Sequence, residues 1–405
     1  MEGQSFQQLA SRYQKMLLED CVPFWFPRCV DTEYGGYLHC LDRDGSLLDS
    51  DKSVWAQGRM AWMLLTLYNH VGQRPEWLEW AESGLQFLEK YCIDKDGRMF
   101  FHMTCDGKPI RKRRYAFSEA FAAIAQAAYA RATGSDRAAS LATALFARFT
   151  HLNFTPHVMT PKFTDTRPLT SLSPRMITLV TARELCDNIG PTPEWEYWID
   201  RSVDEIIGLF VKPELECVLE NVAPDGSVVD HFDGRLLNPG HAIEAAWFIM
   251  EEGRYRKDSQ LIDKGCVMVD WMWRRGWDQQ YGGIFYFRDL YDRPVQEYWH
   301  DMKFWWPHNE ALIATLLAWI CTGNKKYAHM HHELLEWCEK HFADPEHGEW
   351  FGYLHRDGSL STTIKGNLWK SFFHHPRCLW KCWSLCQEQV AAEKSLSDRV
   401  KTNGW

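Results

Sequence analysis

The chain has 405 residues, a formal net charge of −9, 13 cysteines and an excess of aromatic side chains, with 21 Trp, 22 Phe and 15 Tyr. Its one basic run, RKRR at 111–114, is too short for a nucleic-acid face and reads as a solvated loop. No apolar run approaches the roughly 18 residues of a membrane span, and an odd number of cysteines without a Cys-x-x-Cys pair argues against both a disulfide framework and a zinc site.

The first twenty residues are polar and amphipathic and lack the basic-then-apolar layout of a secretory signal. The cysteines sit at apolar positions, as in CLWKCWSLC (378–386). Both features lead us to expect reduced thiols in a cytoplasmic protein. From there most of the chain reads as helix. SVWAQGRMAWMLLTLYNHV (53–71), FSEAFAAIAQAAYARAT (117–133), HAIEAAWFIMEEGR (241–254) and NEALIATLLAWICTG (309–323) are apolar nearly all round, as helices buried on both sides must be. PEWLEWAESGLQFLEKYC (75–92) and KKYAHMHHELLEWCEKHF (325–342) each carry a polar face and predict outer helices.

Between helices a second pattern recurs. It comprises a turn, a short aromatic or β-branched run and often Asp-Gly, at 31–46, 94–109, 215–227, 278–294 and 344–359. Asp-Gly after alternating residues predicts hairpins. The starts fall roughly 60 residues apart, with one degenerate copy expected near 155, and such self-similarity marks a repeat architecture. The period fits two helices and a loop. We therefore expect an all-α fold, an (α/α)6 barrel of six helical hairpins with short β-hairpins in the loops at one end. It would form a single domain over 1–390, followed by a polar tail at 391–405. An open solenoid of helical hairpins is the competing arrangement.

Four stretches place polar side chains at helix starts beside aromatics. In VWAQGR (54–59), Gln57 and Arg59 lie on a helix too apolar for a free charge. Arg59 needs a partner, with Glu310 one candidate, or an anionic or carbonyl ligand. In NPGHAIEAAWF (238–248), Asn238 caps a helix and Pro239 opens it. His241 then lies at the positive end of the helix dipole, which is expected to lower its pKa and keep a neutral, basic imidazole. Glu244 shares its face, to orient it, take a sugar hydroxyl or pair with an arginine. WWPHNEA (305–311) offers Trp305, Trp306, His308 and Glu310, and a flat indole suits the apolar face of a sugar. In FHHPR (373–377), His374 and His375 point oppositely if extended, so one faces the cleft.

These motifs, with DPEHGEWFGYL, TIKGNLWK and WAQGR, resemble the N-acylglucosamine 2-epimerase family, whose mammalian members are also called renin-binding proteins. The likeness runs from FWFPRCVDTEYGGYL to PRCLW, nearly the whole chain. It implies an (α/α)6 barrel, usually a homodimer, that interconverts N-acetylglucosamine and N-acetylmannosamine without a redox cofactor or metal, with ATP or another nucleotide as an activator. It places the family's two catalytic histidines on His241 and His374 and its essential arginine and glutamate on Arg59 and Glu310. Substrate contacts are then expected from Glu244, Gln57, Trp305, Trp306, His308 and Asn238. Lys162 and Arg167, in TPKFTDTRPLT (160–170), resemble a basic loop near the nucleotide site. Aldose–ketose isomerases and cellobiose 2-epimerases of the wider superfamily carry a further histidine where this chain has Met176, which favours the N-acyl branch.

Two readings compete. A glycoside hydrolase would recruit two carboxylates from Glu220, Asp230 and Glu310, and a sugar-binding protein would need no chemistry at all.

Overall fold

The computed structural model describes residues 5–113 and 115–402, the stretch 396–402 as backbone only. Among them, twelve long helices pair as antiparallel hairpins. α1 is Phe6–Lys15. Five hairpins follow in order: α2 (Val54–His70) with α3 (Pro75–Tyr91), α4 (Phe117–Thr133) with α5 (Asp136–Phe154), α6 (Ser173–Ile189) with α7 (Pro193–Glu205), α8 (Pro239–Arg256) with α9 (Ser259–Gly276), and α10 (Trp305–Thr322) with α11 (Lys325–His341). α12 is His374–Thr402, so the expected tail continues this helix through 402, and 403–405 lie outside the described residues.

The even-numbered helices form an inner ring and the odd-numbered ones an outer ring. α4 is buried at every position from Phe117 to Ala128 and α10 from Trp305 to Ala318, because each is covered on both sides. The sixth hairpin is made from the two ends of the chain: α1 packs against α12 and closes the ring. This is the expected (α/α)6 barrel, with one unit split across the termini.

The loops at one end are stitched sideways. The residue pairs 52–53, 170–171, 236–237 and 303–304 each lead into an inner helix, and each forms an antiparallel pair with the hairpin loop of the next unit. Backbone bonds between Leu41 and 365–366 complete the collar. All five Asp-Gly turns are present, with Gly45, Gly97, Gly107, Gly226 and Gly358 at φ between 77° and 86°, a region open to glycine. The degenerate copy near 155 forms no strand before Thr170; it is an irregular loop.

In three of the loops the opening aspartate is held from below by a lysine with no exposed surface. Lys52 meets Asp31 at 2.6 Å, Lys303 meets Asp278 at 3.1 Å and Lys365 meets Asp344 at 3.2 Å. A buried charge is tolerated when paired in this way. The basic run at 111–114 is not freely solvated. Lys112 pairs with Asp94 and Asp96, and Arg113 lies over Tyr115 and Trp369, while residue 114 lies outside the described residues. The 13 cysteines are unbonded, and no described helix is long and apolar enough to cross a membrane.

Candidate active site

The collar surrounds a cavity of about 1490 Å³ that enters the barrel between the inner helices. Two histidines from different helix starts line it. His241 is the third residue of α8, whose N-cap Asn238 accepts the His241 backbone N–H at 3.2 Å through its side-chain oxygen. The Nδ1 of His241 lies 2.9 Å from a Glu220 carboxylate oxygen. A carboxylate only accepts, so Nδ1 carries the proton and Nε2 is the atom left for chemistry. Burial opposes a charge on this ring, but Glu220, and then Glu244, outweigh it, and the pKa is raised. The lowered value expected from the helix dipole is therefore overturned: a full carboxylate charge at hydrogen-bond distance exceeds the partial charge of a helix end.

His374 opens α12, with Nδ1 at 2.8 Å from Glu310. Its pKa is pushed well below the ordinary value, first by burial and then by the cations Arg377 and Arg59. The indole of Trp306 backs both rings, with centroids 5.0 Å from His241 and 5.8 Å from His374. Gly240 makes this possible, since a Cβ there would sit 2.6 Å from the Trp306 ring.

Beneath the histidines lies a fixed ionic knot. One terminal nitrogen of Arg377 donates to Glu244 at 2.6 Å and to Glu310 at 2.5 Å. The second oxygen of Glu310 accepts the Trp247 indole N–H at 2.9 Å. Glu244 is thus the partner of an arginine, not of His241, and Glu310 is a positioning residue held off the cavity wall. The donor atoms of Glu244, Glu310 and His374 lie close enough together to hold a cation, and the guanidinium of Arg377 already bonds both carboxylates.

Arg59 is different. Its guanidinium lies 4.1 Å from the Phe121 ring centre and 4.6 Å from that of Phe373. Among the described residues no carboxylate comes within 4.0 Å of it, and its Nε has no hydrogen-bond partner. Burial lowers its pKa to about 9, against the pull of Glu244. It does not pair with Glu310; it is a half-buried cation facing the cavity.

Several expected contacts fall elsewhere. Trp305 and Trp306 line the cavity, but Gln57, Asn238 and His308 do not. Asn238 is the helix cap. The side chain of Gln57 accepts from the Tyr37 N–H at 2.7 Å and donates to the Tyr37 carbonyl at 3.0 Å. His308 accepts the Ile284 N–H at 2.9 Å and donates to the Phe304 carbonyl at 2.6 Å. Glu119 takes the Met99 N–H at 2.7 Å in the same way. These three occupy matching places near the starts of α2, α4 and α10, and each clamps the loop in front of its own helix. His375 is also turned inward: it stacks on Trp350 at 4.1 Å and meets Asn309 at 3.2 Å. Lys162, in the 155–169 loop, lines the cavity, and Arg167 does not. The carboxylates considered for hydrolysis are committed elsewhere, Glu220 to His241 and the exposed Asp230 to Arg235 and Arg293. Sequence reasoning missed the role of Arg377, although it stands one turn after His374 on the same helix face, and it missed Glu220 as the partner of His241.

The family profile described as N-acylglucosamine 2-epimerase (GlcNAc 2-epimerase) matches residues 36–378. This chain belongs to the N-acylglucosamine 2-epimerase family. Among curated relatives, N-acylglucosamine 2-epimerase of Bos taurus is 35% identical over 403 residues, covering 96% of this chain and 94% of that protein. The Homo sapiens protein of the same name is 33% identical over 390 residues, covering 93% and 88%. Among solved structures, cellobiose 2-epimerase from Bacillus thermoamylovorans B4167 superposes with a TM-score of 0.82 at 18% identity, covering 93% of this chain and 99% of that one, and so shares its fold.

Proposed function

We propose that this epimerase-family chain interconverts N-acetyl-D-glucosamine and N-acetyl-D-mannosamine by moving the proton on C2 of the open-chain sugar. The observation that carries this reading is the pair His241 and His374. Each ring has its Nδ1 fixed by a carboxylate, both lie against Trp306, and their pKa values are displaced in opposite directions. Groups pushed apart in this way are suited to act as acid and base at one pH.

In one direction neutral His374 removes the C2 proton through Nε2. The electrons of the C–H bond pass to the adjacent aldehyde and form an enolate. Arg59, a cation without a carboxylate of its own, stabilises the developing charge on O1. His241, as imidazolium, returns a proton to the other face of C2. The reverse direction exchanges the two roles, and Glu220 and Glu310 hold the tautomers that allow it.

No step uses a metal, and the cation between Glu244 and Glu310 is Arg377. The family resemblance extends the proposal to a cytoplasmic homodimer activated by ATP or another nucleotide, with Lys162 at the cavity as the phosphate contact. The test is proton NMR of N-acetylmannosamine with the purified protein in heavy water, with and without ATP. Appearance of N-acetylglucosamine deuterated at C2 is expected. Formation of a ketose, or no reaction under either condition, would defeat the reading.

A further inference from the structure

The cavity does not end at the histidines. Its wall runs from Trp55 to His70 on α2, from Phe117 to Arg131 on α4, from Ser173 to Asn188 on α6 and from His241 to Tyr255 on α8. Each span is roughly 22 Å of helix, so the cavity follows the inner ring from the collar to the opposite end. His70, Arg131, Asp187 and Tyr255 are exposed there and form a second mouth. The lining below the histidines is mixed: apolar Trp62, Val180 and Phe248 are interspersed with Thr66, Thr181 and charged side chains. Arg183 pairs with Glu252 at 2.9 Å and joins α6 to α8, and Lys381 pairs with Glu251 at 2.6 Å and joins α12 to α8. Among the described residues Glu184 and Asp187, three apart on one face of α6, have no cation within 4.0 Å. One oxygen of Glu184 accepts the Trp62 indole N–H at 2.9 Å and the Asn188 amide at 3.3 Å, which leaves the other open to the cavity. The Trp62 ring in turn packs 5.5 Å from Phe373, the neighbour of His374.

A turnover in the direction given above leaves His374 protonated and His241 neutral, the reverse of the starting state. Before the same direction can run again, one proton must leave His374 and one must reach His241. While a sugar fills the collar side, the lower cavity is the way out. It is polar and wide compared with the roughly 30 Å³ that a water molecule occupies. We propose that this lower passage is a water-filled proton path and that Glu184 is its relay. The imidazolium of His374 gives its proton through water to the Glu184 carboxylate, which passes it by Asp187 to solvent at the far mouth, and His241 takes one up from the same water. Arg377 and Arg59 favour loss of that proton from His374. Burial raises the pKa of Glu184 against the Trp62 bond, so its carboxyl takes up and releases a proton closer to neutral pH than a free glutamate does. The inference rests on the two-base 2-epimerase reading.

The test is the deuterium content of unconverted sugar, read at C2 by NMR at low conversion in heavy water, starting from each epimer in turn. A proton that leaves His374 while the sugar is bound is replaced by deuterium, and its return to the same face labels the starting epimer. Wild type is expected to label the epimer that His374 deprotonates. Glu184→Gln keeps an acceptor for Trp62 and is expected to lower that label per turnover about tenfold, less than the 10²–10⁴-fold of a group acting at the breaking bond, because water alone still carries some protons. Labelling of the other epimer, which His241 deprotonates, and deuteration of the product should stay at the wild-type level, and Glu184→Asp should restore part of the loss. Val180→Phe, at a half-buried position on the passage wall, narrows the path without touching the carboxylate and should act in the same direction. Wild-type labelling absent from both epimers, unchanged labelling in the two variants, or an equal fall in both epimers overturns the relay. Absence of wild-type turnover with N-acetylmannosamine would instead overturn the 2-epimerase reading on which the relay rests.

Discussion

Around His241, one carboxylate stands at Nδ1 and a second, Glu244, adds to its field; around His374, one carboxylate stands at Nδ1 and two arginines stand behind it. The hydrogen bond that fixes each tautomer is alike in the two places. What differs is the balance of the surrounding charge, acidic around His241 and cationic around His374. The difference shows how two identical side chains come to differ in pKa: Glu220 at hydrogen-bond distance and then Glu244 outweigh burial and raise that of His241, while burial and then the cations Arg377 and Arg59 lower that of His374.

Removing either ring breaks the comparison outright. His241→Asn and His374→Asn are each expected to lower kcat by about 10²–10⁴-fold or more, because proton transfer on one face disappears. In heavy water the two variants should differ, one exchanging the C2 proton of one epimer and the other that of the opposite epimer. Loss of exchange of the same epimer in both would contradict two opposed bases.

Glu220→Gln tests the His241 side. His241 acts as an acid when protonated, so activity falls as pH rises through its raised pKa. Without the Glu220 charge that pKa drops, and the alkaline limb of the pH–rate profile should move down. A loss of about 10²-fold in kcat or more at neutral pH is expected, as when a carboxylate that fixes a catalytic imidazole is neutralised. An unmoved alkaline limb would assign it to another group.

Arg377→Met tests the His374 side. His374 must be neutral to accept a proton, so activity falls as pH drops through its lowered pKa. Removing the cation raises that pKa, and the acid limb should shift upward. The variant also leaves Glu244 and Glu310 without their buried partner, which should cost about 3–5 kcal/mol of stability, measurable by denaturant unfolding. Arg377→Lys keeps the charge and should fall between wild type and Met in both readouts.

The smallest effect is expected one residue away. His375→Gln should retain activity within about tenfold, since the ring faces Trp350 and not the cavity. Its folded pKa is lowered to about 4 by burial. The stability it contributes is therefore complete above the unfolded value near 6.5 and is lost as pH falls toward 4, at about 1.4 kcal/mol per pH unit. The Gln variant should lose stability less steeply over that window in thermal unfolding. A collapse of turnover in His375→Gln with His374→Asn active would reverse the assignment of the two.

Much of the architecture was legible because it repeats. Inner and outer helices differ in whether apolar residues surround the helix or keep to one stripe, and five Asp-Gly turns announced the hairpins. The same repetition held a clue that single-motif reasoning passed over. Gln57, Glu119 and His308 look like cleft residues when read one at a time beside aromatics, yet they occupy matching positions in their units and clamp matching loops. A polar residue that recurs in step with the fold and meets the loop backbone serves the fold.

By itself, the sequence determined the helical period, the inner and outer rings and the N-cap at Asn238, because these rest on local spacing and on caps that local geometry must satisfy, and it offered His241, His374 and Arg59 as candidates. Only the tertiary structure decided which carboxylate serves which histidine. Glu220 reaches His241 from a loop 21 positions away, Glu310 reaches His374 across 64, and Arg377 joins Glu244 across 133. Hydrogen bonds and charge–charge forces act over a few ångströms of space whatever the separation along the chain. The direction in which each histidine's pKa is displaced was fixed only when the barrel closed.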